Sequence, residues 1–151
     1  KPLSAMRFLA VLDHPASEID QSVRGPIESA LTALAQAGAK VDRSSPLLPD
    51  LAAQHADYMR LLNAAMARGR PGPNGQTMSL ADYYLLLDAQ ARNEYACADL
   101  FAEYDFVLAP PLPFVAYPHD NTPIASRRIA INGRDSAFAD ALAWAGLATF
   151  P

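Results

Sequence analysis

The sequence predicts an α/β fold that begins with a strand–helix–strand unit and continues as a mostly parallel or mixed sheet covered by helices. Residues 6–12 form an almost continuous apolar run, which is typical of a strand buried on both faces of a parallel sheet. Apolar residues then recur at helical spacing, and residues 39–43 form a second short strand pattern. A strand, a helix and a strand in this order indicate a βαβ unit.

The first helix is predicted to have Asp20 as its N-cap and Gly38 as its C-terminal stop. Pro26 falls inside this pattern, so we expect it to kink the helix or to move its start to Gly25. The side chains that define the apolar spacing are Ile19, Val23, Ile27, Ala30, Leu31 and Leu34.

Two longer helical patterns follow, separated by a loop rich in glycine and proline at residues 69–75. The first covers about residues 49–68. The second opens at Ser79, with Asp82 in the place of the acidic residue of a capping box, and ends near Tyr104. Its predicted inward side chains are Leu80, Tyr84, Leu87, Ala91, Ala98 and Phe101.

A third buried strand is predicted at residues 105–109, and five prolines between residues 110 and 123 then favour a stiff, extended connection. Asn132-Gly133 after an apolar triplet predicts a tight hairpin turn. Ser136 is predicted to cap a last helix that directs Phe138, Leu142 and Trp144 inward.

Composition excludes several classes of protein. The chain has 151 residues, a net charge of −4 and 51 % hydrophobic residues, which indicates a globular domain rather than a disordered one. Few clustered Lys and Arg residues argue against nucleic-acid binding. No apolar run reaches the ~18 residues of a membrane span. The single Cys97 excludes an internal disulfide and favours a reducing compartment, so we expect a cytoplasmic protein.

The serine, cysteine and histidine residues of the chain do not form a catalytic or metal-binding motif. Ser44-Ser45 is interpreted as the polar end of a strand, and Cys97 as a buried structural thiol. His14 and His119 each stand beside an aspartate, but metal binding needs three or four converging ligands. We therefore assign no catalytic residue, no metal ligand and no cofactor.

In their order along the chain, these segments resemble the later half of the amidase signature family. The features that carry the resemblance are the strand that ends in Asp13-His14, the sequence Ala-Gly-Ala-Lys-Val-Asp before a turn with proline, and two long helices. Residues 104–113, the hairpin and the segment at 144–151 complete the pattern, which covers nearly the whole chain.

The resemblance implies a serine hydrolase of C–N bonds whose catalytic groups are two serines and a lysine. These groups belong to the earlier half of the family's domain, so we expect residues 1–151 to be a single α/β unit and an incomplete piece of a larger amidase domain. The expected role of this unit is to supply scaffold and substrate-pocket wall for a small amide substrate. The loop of Pro110, Pro111, Leu112 and Pro113 is the predicted substrate-binding segment, because ligands of α/β folds bind where buried strands end.

Two other interpretations remain open from the sequence. The chain is alternatively a free-standing α/β module that binds a small ligand near His14 and the Pro110 loop without catalysis. A third hypothesis is a metal site that uses His14 and His119. If the chain is one piece of a larger domain, exposed apolar surface is expected to drive it into a homo-oligomer.

Overall fold

The computed structural model describes residues 1–72 and 75–151 and shows a mixed α/β architecture. Three strands, β1 (Arg7–Ala10), β2 (Lys40–Asp42) and β3 (Phe106–Leu108), form a parallel sheet in the order β2-β1-β3. Strands β4 (Arg128–Ile131) and β5 (Arg134–Ala137) form a separate antiparallel hairpin. The helices are α1 (Gln21–Gln36), α2 (Leu51–Ala67), α3 (Leu80–Glu103) and α4 (Leu142–Thr149). The predicted α/β class and its βαβ start are confirmed.

Strand β1 lies at the centre of the sheet and of the main core. Leu9 pairs with Asp42 of β2 on one side and with Val107 of β3 on the other, and no part of Leu9 is exposed. Leu31 of α1, Leu100 of α3 and Trp144 of α4 belong to the same buried cluster. The continuous apolar run at the start of the chain therefore reflects burial on both faces of the sheet.

Helix α1 begins where its N-cap predicts. The Asp20 carboxylate accepts a hydrogen bond from the Ser22 N–H at 2.9 Å, and the helix then continues through Pro26. The alternative start at Gly25 is wrong. A proline ring clashes with the Cβ of the residue before it in a helix, and Gly25 has no Cβ.

Helix α1 ends at Gln36, and Gly38 stops it two residues later, as predicted. Gly38 has a φ of +95°, a conformation that glycine adopts without steric cost. The Ala39 N–H reaches back to the Leu34 carbonyl at 3.0 Å, which closes the last turn of the helix.

Helix α3 starts after Ser79, whose hydroxyl accepts from the Asp82 N–H at 3.0 Å, so the predicted cap is confirmed. The predicted inward face is wrong. Leu86, Asn93 and Leu100 are the buried residues, at intervals of seven. Leu80, Tyr84, Ala91, Ala98 and Phe101 are exposed, and Leu87 is half-buried. Apolar residues lie on several sides of this helix, so their spacing alone does not identify the narrow strip that packs.

The hairpin turn at Asn132-Gly133 is confirmed and also holds the start of α1. Both turn residues have positive φ, 52° and 76°. The Asn132 N–H donates to the Asp20 carboxylate at 2.7 Å, and the Gln21 N–H donates to the Asn132 side-chain oxygen at 2.9 Å. Through these bonds the hairpin is joined to the first helix.

Ser136 does not cap the last helix, which corrects that prediction. It lies in β5 opposite Ile129 of β4, because strand pairing continues to Ala137. A 3-10 turn at Phe138–Ala141 then leads into α4, whose start has no side-chain cap. Trp144 is buried, as predicted.

Pro73 and Asn74 of the predicted loop at 69–75 lie outside the described residues. Across residues 1–72 and 75–151, no helix is both long enough and apolar enough to cross a membrane.

Candidate functional site

A cavity of about 690 Å³ opens where β1 and β3 end. Strands β2 and β3 lie on opposite sides of β1, so the order in which the parallel strands are added reverses between β1 and β3. In open α/β sheets ligands bind in the crevice at this reversal, beyond the carboxyl ends of the strands. Val11, Val107 and Ala109 bring these strand ends to the cavity.

The cavity wall is almost entirely apolar. It is built by the segment before α2, by α2 and α3, by the start of the proline-rich connection and by α4. The residues that line it besides the strand ends are Leu48, Pro49, Leu51, Gln54, Cys97, Leu100, Phe101, Pro110, Pro111, Trp144, Ala145, Leu147, Ala148, Thr149 and Pro151. A volume of this size and an apolar lining with few polar groups are typical of small-molecule sites.

The predicted substrate-binding segment divides into two parts. Pro110 and Pro111 line the cavity. Leu112 is 42 % exposed, and Pro113 is fully buried with its carbonyl accepting from the Asp20 N–H at 2.8 Å. The structure therefore places two of the four predicted residues at the cavity, and the other two outside its lining.

Gln54 and Cys97 bring polar atoms to this wall. Gln54 is only 7 % exposed, and its side chain makes no hydrogen bond to any other described residue. The Cys97 sulfur lies 3.9 Å from the Asn93 side-chain nitrogen, and burial raises the pKa of the Cys97 thiol. A protonated thiol is a poor nucleophile, so Cys97 contributes a neutral surface.

His14 packs against Trp144, which lines the cavity, and against His55. The His14 ring lies 5.5 Å from the Trp144 ring and 5.8 Å from the His55 ring, between centroids. The His14 Nδ1 accepts from the Ala16 N–H at 3.1 Å, so a neutral His14 carries its proton on Nε2. Burial lowers the pKa of His14, and His55 lowers it further; burial also lowers the pKa of His55, against the opposing effect of Asp140.

The proposed pairing of His14 with His119 in a metal site is not supported. His14 is buried against His55, whereas His119 is exposed on the proline-rich connection. Within residues 1–72 and 75–151, no three His, Cys, Asp or Glu side chains are grouped as a metal site requires.

The serine pair has no catalytic arrangement in the part of the chain that the structure describes. The Ser45 hydroxyl accepts from the Leu47 N–H at 3.2 Å, as expected at the end of a strand. Ser44 and Lys40 are both exposed, and no hydrogen bond joins Lys40 to either described serine.

Sequence reasoning missed Gln54, His55 and the contribution of α4. A signal for the first two is present, because Leu51, Gln54, His55 and Tyr58 fall at helical positions i, i+3, i+4 and i+7. Two polar residues therefore interrupt the apolar stripe of α2. The part played by α4 depends on how distant segments pack, and no local pattern reveals it.

Compared with models of known protein families and with curated proteins, the chain matches none of them. Its function is therefore argued from its own residues.

Proposed function

We propose that this chain forms the substrate-pocket wall of an amidase-type hydrolase of C–N bonds and binds the small amide substrate without supplying the catalytic groups. The observation that carries the proposal is the apolar cavity at the ends of β1 and β3, which is bounded by Pro110, Pro111 and Trp144.

The order of the segments supports the hydrolase class. Strand β1 with Asp13-His14 after it, the long helices and the proline-rich segment after β3 follow one another as in the amidase signature family. The structure puts the first and third of these next to each other, because β1 pairs directly with β3.

We assign binding but not catalysis to this chain because its lysines are exposed. A lysine acts as a base at neutral pH when burial lowers the pKa of its ammonium group. Both lysines of the chain are exposed: Lys40 lies on β2, and Lys1 pairs with Asp105 at 2.6 Å. Neither lines the cavity. We therefore place the nucleophile and the base of the reaction outside the residues described here.

Trp144 makes the binding step measurable, because it is the only tryptophan and it lines the cavity. Titration with hexanamide, a small amide with an apolar chain, is expected to change the Trp144 fluorescence and to saturate. Ala148→Phe adds a ring at the cavity wall and is expected to weaken binding about tenfold or more, since overpacking disrupts a fitted site. Ala33→Phe, on the exposed side of α1, is the matched control and should bind as the wild type does.

The same protein should release no ammonia from hexanamide. Hydrolysis that a serine reagent blocks would contradict the assignment of binding without catalysis. An unchanged fluorescence, or an Ala148→Phe variant that binds normally, would contradict the cavity itself.

A second candidate function is a small-ligand-binding module that acts without catalysis. The observation that favours it is that this chain alone supplies walls on several sides of the cavity. Such a module should be a monomer, and hexanamide should raise its melting temperature because the ligand binds only the folded state. A chain that belongs to a larger hydrolase should instead associate through its exposed apolar side chains.

A further inference from the structure

Gln54 places a carboxamide on the wall of the cavity, and no described side chain or backbone group forms a hydrogen bond with it. The residue is 7 % exposed, so it is more than nine-tenths buried. Its backbone N–H makes the expected helical bond to the Asp50 carbonyl at 2.9 Å, but its side chain makes no hydrogen bond to the described residues. The side chain offers one acceptor oxygen and two N–H donors to whatever occupies the cavity.

The amide of Gln54 is not desolvated: its atoms keep some accessible surface, unlike the indole N–H of Trp144, which is buried and has no partner among the described residues. In an otherwise apolar wall, this accessible amide is a polar group that an occupant of the cavity can bind. Leu51, one turn earlier on α2, shows that the same wall accepts leucine. The amide of Gln54 is therefore explained better by a ligand than by packing.

The rest of the cavity restricts the charge of that ligand. None of the described lining residues is Asp, Glu, Lys, Arg or His, and the thiol of Cys97 is kept protonated by burial. An ionised group would lose its water here and would find no opposite charge. The polar end of the ligand must therefore be neutral.

We propose that Gln54 is the specificity-determining residue of this cavity and that its side chain pairs with the primary carboxamide of the ligand. A primary carboxamide presents a carbonyl oxygen to the Gln54 N–H and its own N–H to the Gln54 oxygen. A methyl ketone presents only the oxygen, and a carboxylate presents a charge. This inference rests on the proposed function and extends it, because it states how the site distinguishes an amide from the corresponding acid.

The test compares three probes of similar chain length, namely hexanamide, heptan-2-one and hexanoate, by Trp144 fluorescence at pH 7. The wild type should bind hexanamide about five- to tenfold more tightly than heptan-2-one, as one additional hydrogen bond predicts, and hexanoate more weakly than either. In Gln54→Leu the preference for the amide over the ketone should disappear or reverse, while the ketone is still bound. Gln36→Leu, at an exposed glutamine on α1, should keep the wild-type preference.

Thermal unfolding supplies the readout that a structural role would move. Because the Gln54 amide makes no hydrogen bond to the described residues, Gln54→Leu should leave the melting temperature close to that of the wild type. A lower melting temperature, or an amide preference that survives in Gln54→Leu, would overturn this inference while leaving the cavity as the binding site. A wild type that responds to all three probes equally would overturn it as well. A wild type that responds to none of them would overturn the proposed function and this inference together.

Discussion

Folding lowers the pKa of His14 and of His55, and this makes one corner of the molecule sensitive to acid. His14 is 8 % exposed and touches both Trp144 and His55. Protonation would put two positive charges next to each other in a buried position, with Asp140 the acidic group that acts on His55. Nearby, Asp13 in the loop after β1 pairs at 2.7 Å with Arg24 of α1.

We predict that the protein loses stability as the pH falls below about 6.5, the ordinary pKa of histidine. Folding lowers the pKa of both His14 and His55, so the unfolded chain takes up protons first. Stability is therefore fully present above that pH and is lost below it. Urea unfolding at several pH values between about 5 and 7.5 measures this dependence.

Variants separate the histidines from other acid effects. His14→Phe keeps a ring at the buried position and should flatten the pH dependence. His119→Gln is the control, because solvent already reaches His119 in the folded protein. Equal slopes in the wild type and His14→Phe would show that this prediction is wrong.

The sequence indicates such individual positions unevenly. Asp20, Ser79 and the Asn132-Gly133 turn act on their immediate neighbours, so their roles could be predicted from the chain alone. The partner of His14 is His55 on α2, and only the packing of two distant segments brings the rings together. The sequence gives only weak support for a metal site of His14 and His119, because adjacency to an aspartate carries no information about burial.

Helix α4 lies against α2 through a glycine, and this contact helps to shape the cavity. A Cβ atom on Gly146 would lie 2.9 Å from Cδ1 of Tyr58, which is too close for carbon atoms in contact. The Tyr58 ring also makes an edge contact with Phe150, at 6.3 Å between centroids. The ring therefore has little room to move away.

We predict that Gly146→Ala destabilises the protein by about 1–2 kcal/mol. Overpacking costs about 1–3 kcal/mol, and the better helix propensity of alanine offsets up to about 1 kcal/mol of this. Chemical denaturation measures the change. Ala33→Ser is the control in α1, because it adds one heavy atom at an exposed position, and it should change stability by no more than about 0.5 kcal/mol. A Gly146→Ala variant as stable as the wild type would contradict the close packing of α4 on α2.

The secondary-structure elements were predicted well where their ends carry a signal and poorly where packing decides. The caps of α1 and α3 fix where these helices start. The buried side of α3 depends on its neighbours, and the choice of Tyr84 and Phe101 as inward residues was wrong for that reason. A serine side chain can cap a helix, but Ser136 lies in β5 and pairs with Ile129 of β4 instead.

The cavity is a property of the whole chain. The apolar runs predicted the strands, and the proline-rich segment after β3 predicted Pro110 and Pro111 as its wall. Long-range packing decides two further features. It sets the strand order β2-β1-β3, in which β1 lies beside β3 and the proline-rich segment, and it brings α4 to the cavity wall. Leu112 and Pro113, the other half of the predicted segment, lie outside the lining, because long-range packing also decides which residues of this segment face the cavity.

Exposed apolar side chains on α3 lead to a prediction about association. Large apolar side chains on this helix remain in solvent, with Tyr95 75 %, Leu85 61 % and Phe101 55 % exposed. We expect the protein to form dimers or larger assemblies whose proportion rises with concentration, because burying this surface is favourable. Sedimentation equilibrium measures the mass. Leu85→Glu should shift the protein toward the monomer, and Val115→Glu, at an exposed position outside α3, should not. A wild type that stays monomeric at high concentration would contradict this expectation and favour the independent binding module.

The central claim is that the space between the ends of β1 and β3 binds a small neutral amide. Chemical-shift mapping by NMR with hexanamide tests it most directly, because each residue reports separately. We expect saturable chemical-shift changes at three residues of the cavity wall, Val107, Ala145 and Trp144. The signals of Thr32 in α1 should not change. Shifts confined to residues outside the cavity, or no shifts at saturating hexanamide, would contradict it.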